Sequence, residues 1–388
     1  MSVRNTVIGF MMFVSVVAIV AIGYGSYRIL VPATLENVRH DDPWKNTPPE
    51  PQHTDHSDLI QGVFTDGPSV TRECLRCHGN AAREVMKTVH WKWKGDPVHI
   101  PGKPNLPPVE IGKKNLINNF CIGIEPNLGG CTICHAGYGW FDDNFNFKDE
   151  SLVDCLVCHD NTGTYGKSDG GLPTPGVDLT AVAKGVGPSK RANCGWCHFN
   201  GGGGDAVKHG DLDQTLINPA QRIDMHMGKQ GFECITCHRT EHHLIKGRAM
   251  SVSVDHKNSI SCTDCHNEKP HASERLNAHT FSVACQTCHI PEFAVGEPTK
   301  VDWDWSQAGQ DLPITDHHVY MKIKGRFIYK KDVVPTYRWH NGMAKRYLAG
   351  DKIDPNGITK INEPLGSIHD PNSKITPFKV HRAKQPYD

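Results

Sequence analysis

Cysteine and histidine recur together seven times in this chain, always as Cys-x-x-Cys-His. The copies are Cys74, Cys77 and His78; Cys131, Cys134 and His135; Cys155, Cys158 and His159; Cys194, Cys197 and His198; Cys234, Cys237 and His238; Cys262, Cys265 and His266; and Cys285, Cys288 and His289. One chemistry uses all three side chains at once. Two thiols three residues apart reach one edge of a porphyrin and add across its vinyl groups, and the adjoining imidazole ligates the iron from one side: the attachment of c-type haem. A redox dithiol or half a zinc site also begins Cys-x-x-Cys, but neither needs a following histidine in every copy. The motifs account for fourteen of the fifteen cysteines and leave Cys121.

Seven irons held from one side want ligands on the other. Seventeen histidines lie outside the motifs, enough for mostly bis-histidine, low-potential centres. Candidates for these second ligands are His90, His226, His243, His256, His271 and His279, and sequence does not pair each with a particular haem. A wire needs every iron capped on both faces, whereas an enzyme needs one open face.

The elements that must position these groups are modest. The chain has 388 residues, 38% apolar, with 37 glycines and 26 prolines, too little apolar content for a large protein-only core. The expected fold is therefore mainly α with extensive loops, a multihaem cytochrome c fold organised around covalent haems. Lysine plus arginine equals aspartate plus glutamate, 42 each, which argues against nucleic acid as a partner.

Four segments follow. Residues 1–30 hold an apolar run from Val7 to about Tyr24, near the roughly 20 residues needed to span a bilayer. This reads as an N-terminal transmembrane anchor, with a cleaved signal peptide as the rival. Residues 31–68 form a Pro-rich linker or wrapping arm. Residues 69–295 are the multihaem domain, whose unequal motif spacing excludes a fixed-period solenoid and whose short gaps suggest stacked haem pairs. Residues 296–388 are a haem-free extension, in which alternation around Gly325, from Val319 to Tyr329, predicts a small β-hairpin. The extension reads as a packing appendage or a docking element.

Two stretches look out of place in a pure wire: Asn118-Asn119-Phe120-Cys121, and Gly201–Gly204 running on through Lys208 to Asp211. Four consecutive glycines permit close backbone approach. These runs, with Met86–Trp91, Leu116–Cys121, His135–Trp140 and Val283–Pro291, resemble the octahaem tetrathionate reductases, multihaem periplasmic c-type cytochromes, over most of residues 70 to 345. The resemblance implies an active-site haem with a lysine ligand in place of a second histidine, and a cysteine in the substrate cavity. By motif position these are Lys208 and Cys121, beside the haem of Cys131, Cys134 and His135, with Lys167 in reserve. The plain alternatives are an inert buried cysteine and a lysine on a solvated loop. Family members carry eight haems against seven motifs here. Either one is missing, or one is attached in a nonstandard way, for instance through Cys121 and Cys134 with Cys131 spare.

The expectation is a haem-dependent oxidoreductase on the periplasmic side of the bacterial inner membrane. It takes electrons from a quinol or cytochrome donor and reduces a small sulfur or nitrogen compound such as tetrathionate, nitrite or hydroxylamine. The alternatives are a membrane-anchored electron relay without catalysis, and an oxidase running the same pocket backwards.

Overall fold

The computed structural model describes residues 3–30, 44–117, 121, 123–248 and 253–387, with the side chains of residues 3–10 and 25–30 left aside. The run Asn118-Asn119-Phe120 lies outside the described residues. The chain divides into two compact units, Met1–Asn46 with Cys265–Thr280, and Thr47–Asp264 with Phe281–Asp388.

The first unit holds the helix Val3–Leu30. Its described side chains run from Met11 to Tyr24 and are largely exposed. Among the described residues no helix is long and apolar enough to cross a membrane. The expected anchor therefore gains no support here. In the same unit the amide of Asn46 donates to the carbonyl of Cys265 at 2.8 Å. Ser273 caps the short helix Glu274–His279, whose buried Asn277 brackets the backbone of His271 from both sides.

The second unit is built from helices of one or two turns. Asp66 caps Gly67–Leu75 by accepting from the amide of Ser69, and Pro68 fills the first turn, where no backbone donor is needed. Further turns carry the other motifs: Leu128–Cys131 running into Thr132–Cys134, Leu156–His159, Arg191–His198, Cys234–Cys237, Cys262–Asp264 and Cys285–His289. A helical turn is what the motif needs, because residues i, i+3 and i+4 then share one face. The protein core is split into small clusters. Ile60, Val70, Leu156, Leu179, Val182 and Ala183 form one, and Trp93, Leu128 and Trp140 another.

Strands are more numerous than expected, so the fold is mixed helix and loop with small sheets rather than mainly α. The predicted hairpin forms between Tyr320–Met321 and Gly325–Lys330, with Met321 opposite Gly325. It is half of a four-stranded sheet completed by Thr299–Asp304, antiparallel to Gly325–Lys330, and by Arg382–Lys384, parallel to Thr299–Asp304. The difference has a local cause. Motif turns stop at their histidines, while the C-terminal segment supplies alternating aromatic and β-branched residues that favour a half-buried sheet.

Candidate haem cavity and its cysteine–lysine pocket

Within the second unit lies one continuous cavity of about 4190 Å³, several times the roughly 300–1,000 Å³ of an ordinary ligand site. Both cysteines of the first five motifs line it, with His78, His159, His198 and His238. Thiols of different motifs meet in pairs within hydrogen-bond reach: Cys74 with Cys155, Cys134 with Cys197, Cys194 with Cys234, and Cys262 with Cys285. Only the last pair joins motifs separated by one of the two shortest gaps. Spatial neighbours are therefore set mostly by the fold and not by spacing along the chain.

The residues present fit haem at several of these positions. His159 Nδ1 lies 2.9 Å from the carbonyl of Gly187, and His238 Nδ1 lies 2.9 Å from that of Lys246. A carbonyl only accepts, so Nδ1 carries the proton and Nε2 keeps the lone pair that iron requires. Ring separations add to this. Two metal–imidazole bonds of about 2 Å each, plus about 1 Å from each nitrogen to its ring centre, put the centroids of a ligand pair roughly 6 Å apart. His56 and His78 are 6.2 Å apart, and His90 and His198 6.1 Å. The second motif departs from this pattern. His135 is fully buried, and its Nε2 donates to the carbonyl of Trp91 at 2.8 Å. Rings of Trp91, Trp93, Trp140, Phe145 and Phe147 surround it. Cys131 and Cys134 face the cavity, but His135 does not.

Of the expected second ligands, His90, His226 and His243 line the cavity, while His256, His271 and His279 lie elsewhere. Sequence reasoning passed over His53, His56, His209, His242 and His381, which also line it. The one available signal was two histidines three residues apart, His53 and His56, just ahead of the first motif.

Cys121 and the glycine run, far apart in sequence, are brought together: a Cβ at Gly203 would lie 3.1 Å from Cys121 Sγ. Lys208 packs back against Gly201, in the same loop. Cys121 and Lys208 both line the cavity, with Cys131 and His198 among the lining residues. Burial, reinforced by Lys113 and Arg346, pushes Lys208 down to about 8. The reserve lysine has another task. Lys167 is fully buried, pairs with buried Asp154 at 2.8 Å, and donates to the carbonyls of His135 and Gly137. Tyr138 and Tyr165 both donate to the same Asp154, each at 2.9 Å.

The C-terminal segment closes this pocket. Thr299 donates to the carbonyl of Ala206 at 2.6 Å. Lys379 donates to Thr299 Oγ1 and, at 3.1 Å each, to the carbonyls of Val207 and Lys208. Lys300 lies over the rings of Trp303 and Phe327. Burial lowers Lys300 to about 8 and, with Lys300 beside it, Lys379 to about 7. Burial first presses both His209 and His381 down to about 3, with Lys208 and Lys379 adding to it at His209 and Lys379 and Lys300 at His381. Several buried cations crowd one place beside a cysteine, an arrangement suited to an anion. Neither Lys300 nor Lys379 is legible as a site residue, because each sits in an ordinary-looking polar stretch far from any motif.

A cavity walled by attachment motifs, with imidazoles paired across it, defines a multihaem c-type cytochrome. Over 86% of its length the chain is similar to the crystal structure of octahaem cytochrome c from Shewanella oneidensis, at 49% identity, with 76% of that chain covered and a TM-score of 0.78. Residues 300–388 match the family model described as bacterial cytochrome c, and no curated protein matches. The chain belongs to the octahaem tetrathionate reductase family, carries haem c, and as a c-type cytochrome works outside the cytoplasm.

Proposed function

We infer that this cytochrome is a reductase of a small oxidised sulfur or nitrogen compound: tetrathionate, nitrite or hydroxylamine. The observation that carries the reading is Cys121 lying against Gly203 of the loop that carries Lys208, with Lys379 bonded to the backbone of that same loop. Bound haem supplies one-electron carriers and an iron that meets the substrate. The chain's own residues do the rest. Buried ammonium groups draw in an anion and hold it where water is scarce. Lysine ligates only as a neutral amine, and burial favours that form in Lys208. The family resemblance is what assigns Lys208 to the haem of Cys131 and Cys134, and His135, bonded to the carbonyl of Trp91, would have to turn for that haem to be held. Splitting tetrathionate into two thiosulfates breaks one S–S bond and takes up two electrons, which neighbouring haems can store. A quinol or cytochrome on the periplasmic side of the inner membrane is the donor, and the N-terminal segment is the tether.

The imidazole pairs also favour a second reading, an electron relay in which every iron is capped. One measurement separates the two. The reductase reading expects a high-spin signal in the oxidised protein, and a spectral shift on adding nitrite or cyanide. If every iron is low-spin and inert to added ligands, the reductase reading fails and the relay stands.

A further inference from the structure

One bulky residue of the second unit has a backbone that ordinarily belongs to glycine. Trp93, which caps the turn Val89–Lys92, has φ of 54° and ψ of 20°. Left-handed geometry at a helix end favours glycine because it has no Cβ. A larger residue persists there only when its surroundings hold it, and such strain clusters at functional sites. Trp93 is buried. Its ring lies 4.9 Å from that of Trp140 and 6.0 Å from that of His135. Cys131 packs against the cluster that Trp93 forms with Leu128 and Trp140. The strained residue is thus part of the wall of the second motif.

Its other neighbour is a cation. The strands Lys94–Val98 and Val109–Gly112 pair Lys94 with Gly112, and a Cβ at Gly112 would run into the carbonyl oxygen of Trp93. Only glycine admits that approach, and the next residue uses it. The amide of Lys113 donates to the same carbonyl at 3.0 Å, and the Lys113 ammonium lies 4.5 Å from the centre of the Trp93 ring. Backbone and side chain together tie one lysine to one tryptophan. Lys114, next along, pairs with Asp143 at 2.6 Å, but among the described residues no carboxylate pairs with Lys113. An aromatic face positions a cation and leaves its charge available, whereas a carboxylate partner would cancel it. Lys113, Trp93 and Cys131 all line the cavity.

We propose that Lys113 is a further anion-holding residue of the substrate pocket, besides the lysines of the C-terminal segment: Trp93 carries its ammonium beside the second motif, where it holds the oxyanion of a dissolved tetrathionate or nitrite. The inference rests on the reductase reading and adds to it a residue and a means of placing it. Haem brings oxyanions of its own, the propionates, and the test separates the two sources.

The test uses the full, haem-loaded chain with nitrite as the probe. Its dissociation constant is read from the spectral shift of the oxidised protein at low and high salt, beside KM and kcat for tetrathionate and a potentiometric titration. Lys113→Met is expected to raise the nitrite constant about tenfold at low salt, by less at high salt, and to change KM more than kcat. Lys113→Arg keeps the charge and stacks on the ring; it is expected to bring both constants back near the wild type. Trp93→Leu keeps the charge but loses the ring, and is expected to raise the nitrite constant part of the way. Trp93→Phe, which restores a ring face, serves if Trp93→Leu does not fold, with a constant between those of the wild type and Lys113→Met. If the wild type responds to nitrite and Lys113→Met has the same nitrite constant and KM, this proposal is overturned and the reductase reading stands. An unchanged nitrite constant with one lowered potential would give the ammonium to a haem propionate and overturn it equally. A wild type with no response to added ligands would bring down both readings.

Discussion

Cys121 and Gly203 are in contact across two separate loops, so close that a single methyl group at Gly203 would lie 3.1 Å from the cysteine sulfur. Gly203 also has φ of +95°, a region closed to ordinary side chains. Gly203→Ala should therefore displace the loop and destabilise the protein by more than about 1 kcal/mol, seen as a lower denaturation midpoint. Cys121→Ala removes the sulfur without crowding anything. It should cut turnover on the order of 10²-fold with haem content intact, as measured by steady-state reduction with a dye donor.

Lys208→Ala should likewise cut turnover while leaving covalent haem unchanged, and it should alter the high-spin signal of the oxidised protein. Normal turnover in both Lys208→Ala and Cys121→Ala would show that the pocket lies elsewhere.

The buried lysines give the reaction a pH dependence with a definite sign. Lys300 and Lys379 are lowered to about 8 and about 7, so each is positive below its value and neutral above it. The attraction for an anion is present at low pH and lost as pH rises through 7 to 8. KM for tetrathionate or nitrite should climb across that window, with a smaller change in kcat. Lys300→Met should raise KM at pH 6 toward the alkaline value and flatten the profile.

Asp154 and Lys167 are a fully buried pair. Removing one partner strands the other charge, which typically costs about 3–5 kcal/mol. Lys167→Met should lower stability by that order in a denaturant titration. It should also disturb the spectrum of the second-motif haem, because Lys167 holds the carbonyls of His135 and Gly137.

Intact mass should correspond to seven covalent haems, one for each motif. Finding eight would show that Cys121 takes part in a nonstandard attachment, and Cys121→Ala would then lose one haem.

How far the sequence could be read follows from what each feature depends on. Haem attachment is local: it needs three side chains on one turn, so it appears as a fixed string of letters. The glycine run is also local, and what it meets in the fold, Cys121 beside Gly203, comes from another loop and is not written in the run itself. Lys300 and Lys379 depend on a parallel pairing between Thr299–Asp304 and Arg382–Lys384, which no short-range pattern announces. His56 was hidden for a similar reason, since a Pro-rich arm gives no periodicity from which an inward face can be inferred. The extension at 296–388 gave its hairpin through alternation, but its contribution to the pocket arises only from long-range hydrogen bonds such as that from Lys379 to the backbone of Lys208.

The parallel strand Arg382–Lys384 has a consequence for biogenesis. Every attachment motif precedes residue 300 in the order of synthesis, and the ammonium of Lys379 emerges later still. The cationic wall cannot close until all seven porphyrin docking sequences have already left the ribosome.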